Sequence, residues 1–374
     1  MKEYFVGMDV HENSYSLCTY CWGDNIVQNK TKMQADPKLI VKYIENFRKR
    51  TGEECTFTCA YEAGCLGFTL YRKLTNAGIK CVIMAPSTMK KSAKSRKNKN
   101  DMRDAADIAT CLAHCDYNEV AVPTEENQAM RDYIRMRQDY VEILKMVKQK
   151  IRSFLVARGY QYEGGKNSWT QKHIEWLRSI KLEGMDALTL EEHLLELDHL
   201  MEKIKRLETK IEEMTQKEAY REGAARIGCM LGMGTINTMT ILTEIGDFKR
   251  FARAEQFASY LGLTPGEDSS GEKTKHLSIT KAGNPYARRV LVEAAQSYAT
   301  GRPGSKGAIL KRRQSGVNPN IVYQADKGNL RLRKRYKYLT LGVNKKSNVA
   351  KVAIARELAC FIWSLMTMDL PRPG

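Results

Sequence analysis

The chain has 374 residues, with 61 Lys and Arg against 43 Asp and Glu, a formal net charge of +18. Hydrophobic residues at 43% and charged residues at 28% are those of an ordinary globular protein, which excludes wholesale disorder, collagen-like repeats and a disulfide mini-scaffold. The length suits two or three domains, and the excess positive charge points to a polyanion, nucleic acid before a membrane surface.

The N-terminus lacks the basic and apolar stretches of a signal peptide. The apolar tail from Val352 to Met366 is interrupted by Arg356 and Glu357, so a cytosolic protein is expected. Among ten cysteines, Cys18-x-x-Cys21 has no second half of a zinc site, and residues three apart on a strand point to opposite faces. Cys111 and Cys115 have no ligand cluster nearby either, so reduced cysteines in the core are expected.

Tyr4 to Val10 is apolar and β-prone, and Ser16 to Trp22 and Ile26 to Met33 follow after turn residues, which predicts an antiparallel meander. Asp36 suits an N-cap and Pro37 a first helical position, and Leu39, Ile40, Tyr43, Ile44 and Phe47 recur at helical spacing. Cys55 to Tyr61 is a further strand, and Leu66 to Asn76 a helix stopped by Gly78. Ile79 to Ala85 is a continuous apolar strand suited to a sheet interior. A meander followed by β-α-β alternation over residues 1–120 is the order of an α/β RNase H-like fold.

From Ser87 to Arg103 the chain carries Lys90, Lys91, Lys94, Arg96, Lys97, Lys99 and Arg103 against one acid, Asp101. That density favours a phosphate-contacting loop over a solvated linker. Residues 121–220 form a helical middle region. Leu197, Leu200, Ile204, Leu207, Ile211 and Met214 alternate spacings of three and four, the mark of a coiled-coil seam. The seam can close within the chain on the helix carrying Val141, Leu144, Val147, Ile151 and Phe154, or between protomers. Gly164 and Gly165 break the helical pattern.

Residues 221–374 form a mostly helical third region. The run Ile227 to Gly234 is either a phosphate-binding helix N-terminus or a tight turn between packed helices. Gly262 to Lys273, rich in Pro, Gly and Ser, is expected to be a loop. Gly301 to Lys351 holds 14 Lys and Arg and one acid, Asp326. Its Lys311, Arg312, Arg313, Arg331, Arg333, Lys334 and Arg335, with Lys273 and Lys281 before it, are expected to bind nucleic acid, and Tyr323, Tyr336 and Tyr338 could stack on bases.

Four carboxylates stand out by position. Asp9 ends the first strand, where an unpaired charge is costly, and Glu62 ends the strand from Cys55. Asp101 and Asp104 are three apart and share a helix face, with Asp107 a rival for the fourth place. Acids gathered in a basic protein suit hard divalent cations, and two such ions about 4 Å apart activate an attacking oxygen and stabilise a leaving one at a phosphate. The plain alternative is that these acids cap helices and form ion pairs.

The Asp9, Glu62, Asp101, Asp104 arrangement resembles the DEDD motif of insertion-sequence transposases with a RuvC-like N-terminal domain, the bridge-RNA-guided recombinases. Leu231-Gly232-Met233-Gly234, Phe257 to Pro265, Ser269-Ser270-Gly271 and Ile279 to Asn284 resemble that family's second motif block, so the likeness covers most of the chain. It implies a DNA recombinase with Ser269, rather than Ser270, as nucleophile and a DEDD site holding Mg²⁺ or Mn²⁺. It also implies dimers assembling to a tetramer in which domains of different protomers share a site, and a noncoding bridge RNA pairing with donor and target double-stranded DNA. Glu272 stands where a second glycine is expected, and the basic region after Gly301 is long. His276 is a nearby proton acceptor outside the expected catalytic set. The rival functions are a metal-dependent nuclease or Holliday-junction resolvase using water, and a nonenzymatic nucleic-acid scaffold.

Overall fold

Alternation in the first forty residues produces the expected meander. In the computed structural model β1 (Lys2–Val10) pairs antiparallel with β2 (Ser14–Cys21), and β2 with β3 (Ile26–Gln34). The structure describes residues 2–52, 54–64, 66–86, 100–165, 168–270 and 273–369, with backbone alone at 267–270 and 273–277. The basic stretch with Lys90, Lys91, Lys94, Arg96, Lys97 and Lys99 lies outside the described residues. Two compact units divide between Pro123 and Thr124.

In the first unit β4 (Cys55–Glu62) runs parallel to β1, and β5 (Lys80–Met84) parallel to β4, giving the sheet order β3-β2-β1-β4-β5. The Asp36 carboxylate accepts from the Lys38 N–H at 3.0 Å and starts α1 (Pro37–Thr51). α2 (Thr69–Asn76) begins three residues later than the apolar pattern suggests. The two helices cover one face of the sheet, where Val6, Met8, Phe57 and Tyr61 meet Ile40, Ile44, Leu70 and Leu74. α3 (Asp101–Ala113) covers the other, packing Ile108 and Leu112 on Ala60, Val82 and Met84. With both faces covered, Tyr4 and Val6 to Met8 of β1 are buried, which is why its middle reads as an apolar run.

In the second unit the coiled-coil seam closes within the chain. α4 (Glu125–Val156) and α6 (Gly184–Met214) run antiparallel: Val147, Ile151 and Leu155 meet Leu190, Leu197 and Leu200, while Met130 and Ile134 share a core with Ile211. α5 (Gln171–Ser179) packs Leu177 at their joined end. The rest comprises α7 (Glu218–Gly228), α8 (Thr235–Ile245), α9 (Ala254–Tyr260), α10 (Pro285–Ala295), α11 (Ala308–Gln314), α12 (Pro319–Lys337) and α13 (Ser347–Thr367). The apolar tail is the buried core helix α13, with Ile354, Leu358 and Ile362 fully covered. No described helix is long and apolar enough to cross a membrane.

One expectation is corrected. The Pro, Gly and Ser stretch from Gly262 is not a loop but the first strand of a hairpin, β6 (Pro265–Ser270) paired antiparallel with β7 (Lys273–Ile279) up to Ser270 opposite Lys273. Its composition is that of turns, but the ladder with the Lys273 to Ile279 segment overrides local preference.

Candidate active site

Gly7 decides where the acids of the first unit stand. A Cβ there would come within 3.0 Å of the Ala105 carbonyl oxygen and the Ala109 amide nitrogen, so only glycine lets α3 lie backbone-to-backbone on β1. Ala105 and Ala109, both fully buried, complete that close approach. The consequence is that the first turn of α3, with Asp101 and Asp104, reaches the end of β1 at Asp9. Asn100 caps the helix by accepting from the Met102 N–H at 3.0 Å, and the Cys18 thiol donates to the Met102 carbonyl at 3.2 Å. Both carboxylates also sit at the favourable N-terminal end of the helix dipole.

Glu62 ends the neighbouring strand β4 and is outside the group of ligand atoms that lie together among the described residues. Met8 pairs with Tyr61 on the parallel strands, so Asp9 and Glu62 follow side by side at the two strand ends. Asp107 is half-buried one turn further along α3. The ligand atoms of Asp9, His11 and Asp101 all lie within 4.8 Å of one another. His11 Nε2 is 3.3 Å from Asp9 Oδ2, and Lys32 Nζ donates to Asp101 Oδ2 at 2.9 Å.

The electrostatics match this crowding. Burial raises the Asp9 pKa above its ordinary value; His11 partly offsets that, and the negative charges of Asp101 and Asp104 add to the rise. The hydrogen bond from Lys32 lowers that of Asp101. A partly desolvated carboxylate beside two others is a costly arrangement that a divalent cation relieves, and the oxygen donors suit such an ion. The chemistry open to this cluster is therefore metal-assisted reaction at a phosphate. Two members, His11 and Lys32, were not singled out from the sequence. The Asp9-x-His11 spacing was a usable signal; Lys32 depends on cross-strand register and had none.

In the second unit the segments Phe257 to Pro265 and Ile279 to Asn284 clamp each other at the base of the hairpin. Gly262 (φ +66°) and Gly283 (φ +96°) both adopt the left-handed region; a Cβ on either would strike the opposite backbone, at Ala282 or at Tyr260. Lys281 N–H donates to the Gly262 carbonyl at 3.1 Å, and Thr280 N–H to that of Thr264 at 3.0 Å. Asn284 caps α10 through the Ala287 N–H at 3.0 Å and donates from its amide to Glu244 Oε2 at 2.6 Å. Arg135 grips the same carboxylate with Nε and Nη2, each at 2.7 Å, and lies 4.5 Å over the Tyr286 ring. The Glu244 side chain is 1% exposed, so Glu244→Ala strands Arg135 and Asn284 and is expected to cost about 3 kcal/mol, read as a lower unfolding temperature of this unit. Ser269 stands near the hairpin tip, one step from the last pair.

The basic residues divide into two groups. Arg333, 8% exposed, donates to the Arg302 and Ser305 carbonyls at 2.8 and 2.6 Å; Arg313 donates to the carbonyls of Met230 and Met233. These two guanidiniums bind the fold itself. Arg313, Gln314 and Asn329 satisfy the carbonyls of the glycine-containing turn, where Gly232 (φ +76°) presses on Ala294, so that run is a tight packed turn. Lys281, Lys311, Arg312, Arg331, Lys334 and Arg335 are exposed, Arg331 and Arg335 beside Glu357. Tyr323 and Tyr338 are exposed, while Tyr336 is buried and bonds Ser347.

Residues 6–158 match the transposase domain model DEDD_Tnp_IS110, and residues 224–309 match the model of the transposase IS116/IS110/IS902 family. A Sinorhizobium fredii protein named as a transposase, y4qE, is 33% identical over 365 residues, 97% of this chain and 88% of its own. The chain belongs to the IS116/IS110/IS902 transposase family. The transposase for insertion sequence element IS1533 of Leptospira borgpetersenii is 27% identical, covering 90% of this chain and 97% of its own. That for IS1111A of Coxiella burnetii is 23% identical, covering 97% and 89%. The protein is thus an insertion-sequence transposase, an enzyme that binds DNA, and its DEDD-type domain is of a kind that suggests dependence on a divalent metal.

Proposed function

We propose that this transposase cuts and rejoins DNA through a covalent phosphoserine at Ser269, with Asp9, Glu62, Asp101 and Asp104 holding Mg²⁺ or Mn²⁺ beside the reacting phosphate. The observation that carries the reading is the approach of α3 to Gly7, which brings Asp101 at the helix start to Asp9 near the end of β1, and the parallel register that runs Glu62 alongside supports adding it to the set. A mixed sheet in the order β3-β2-β1-β4-β5 with helices on both faces supports an RNase H-like domain. A bound divalent ion supplies charge neutralisation and polarisation at the phosphate.

The chain's own groups do the rest. The Ser269 oxygen forms a bond to phosphorus as one strand's P–O bond breaks, and the serine proton ends on the released hydroxyl. The new ester keeps the bond energy, so a hydroxyl of another strand reverses the exchange and joins the strands. The glycine clamp and the Arg135–Glu244–Asn284 network fix the base of the hairpin that bears Ser269. Lys281, Lys311, Arg312, Arg331, Lys334 and Arg335, together with Lys273 and the cations from Lys90 to Lys99, neutralise backbone phosphates, with Tyr323 and Tyr338 available to stack on unpaired bases.

Specificity rests on a noncoding RNA of the element that pairs with donor and target DNA, in a tetramer whose protomers share composite sites in the bacterial cytoplasm. Incubation with element-junction DNA, divalent metal and RNA transcribed from the element's flank tests this. Strand exchange that needs all three is expected; metal-dependent cutting that ignores the RNA and persists in Ser269→Ala makes the protein a hydrolytic nuclease instead.

A further inference from the structure

We infer that His11 is itself a ligand of this metal centre, and that its imidazole makes the centre prefer a divalent transition ion such as Mn²⁺ over Mg²⁺. The inference rests on the acid cluster being a metal site, as proposed above. Ions of this size hold ligands at about 2.1 Å, so donors sharing one octahedral ion stand ~3 Å apart when adjacent and ~4.2 Å when opposite. His11 Nε2 at 3.3 Å from Asp9 Oδ2 is close to the adjacent spacing, and the Asp101 oxygen, within 4.8 Å of both, is near enough for side-chain rotation to bring it onto the same ion. His11 is the first residue past β1, and its ring turns back to the Asp9 carboxylate. The turn into β2 holds it there, with His11 N–H donating to the Ser14 carbonyl at 3.0 Å.

A second, independent observation points to a ligand at the same corner. Ser16 is 1% exposed, and its hydroxyl has no hydrogen-bond partner among the described residues. It stands opposite Asp9 in the β1–β2 register and hence on the same face. A buried hydroxyl without a partner costs about 1–3 kcal/mol, and the water shell of a bound ion is the kind of partner it lacks. Lys32, opposite Ser16 in the β2–β3 register, reaches Asp101 with its ammonium at 2.9 Å.

Imidazole discriminates among metals where carboxylates do not. Mg²⁺ holds oxygen ligands and water and gains little from a ring nitrogen, whereas transition ions bind it readily. The full-length protein is titrated calorimetrically with Mn²⁺ and with Mg²⁺ as wild type, His11→Ala and Asp9→Asn. Electron spin-echo measurements on the Mn²⁺-loaded wild type look for coupling to a histidine nitrogen. His11 is 57% exposed, so the alanine leaves folding intact. The expected result is a nitrogen coupling lost in His11→Ala, with Mn²⁺ affinity down at least about tenfold and Mg²⁺ affinity changed less than about threefold. Equal Mn²⁺ affinities in wild type and His11→Ala, or no nitrogen coupling, overturn the role of His11 while leaving the acid site standing. Failure of the wild type to bind either ion, or binding unchanged in Asp9→Asn, removes the acid site and this inference together.

Discussion

Replacing Asp9 with Asn is expected to lower strand cleavage by at least about 10³-fold, because losing an anionic metal ligand forfeits several kcal/mol of charge stabilisation at the phosphate. The same change is expected to make the metal-free protein more stable. Burial together with Asp101 and Asp104 holds the Asp9 pKa above its ordinary 3.8, so the folded state binds that proton more tightly than the unfolded state. Ionised Asp9 therefore opposes folding, with no effect below 3.8 and a growing one as pH rises through the raised folded value. Asn carries no such penalty. Thermal unfolding in chelator from pH 4 to pH 8 should show the variant's advantage widening with pH; a variant less stable than wild type at pH 8 contradicts this account of the site.

Gly7→Ala is expected to be the most damaging single methyl in the first unit. The added Cβ meets the backbone of Ala105 and Ala109, which cannot turn aside as a side-chain tip can, so α3 lifts from β1 or the unit unfolds. A cost of about 3 kcal/mol or more is expected, with loss of divalent-metal binding, since Asp101 and Asp104 ride on the displaced helix. Gly23→Ala is the control: a Cβ there meets nothing within 4 Å, and stability should move by less than about 1 kcal/mol. Chemical denaturation of both variants checks the pair, and a Gly7→Ala protein with wild-type stability shows that the helix does not depend on that approach.

What could be read in advance follows from how local each signal is. The meander, α1 with its Asp36 cap and the apolar strand β5 were legible because period and capping are written in neighbouring residues. Of the four acids, Asp9 and Asp101 meet in the structure, and both could be picked out in advance from their places at a strand end and a helix start. Lys32 could not, since it meets Asp101 only through register across β2 and the packing of α3. Composition misled at Pro265 to Ser270, where turn-forming residues become a strand because a partner pairs with them. Charge counting overstated the basic region for a similar reason: it does not show that the guanidiniums of Arg313 and Arg333 are spent on backbone carbonyls. Heptad spacing identified the seam on α6 but not its partner, which is α4 of the same chain.

The central claim is that a serine of the hairpin, served by the acid site, forms a covalent bond to DNA. The most direct measurement incubates the protein with divalent metal, RNA from the element's flank and end-labelled junction DNA, isolates protein-linked DNA on a denaturing gel, and maps the linkage by mass spectrometry. The account predicts an adduct on Ser269 that is absent from both Ser269→Ala and Asp9→Asn. Metal-dependent cleavage without any adduct, unchanged in Ser269→Ala, or an adduct mapped to another residue, contradicts it.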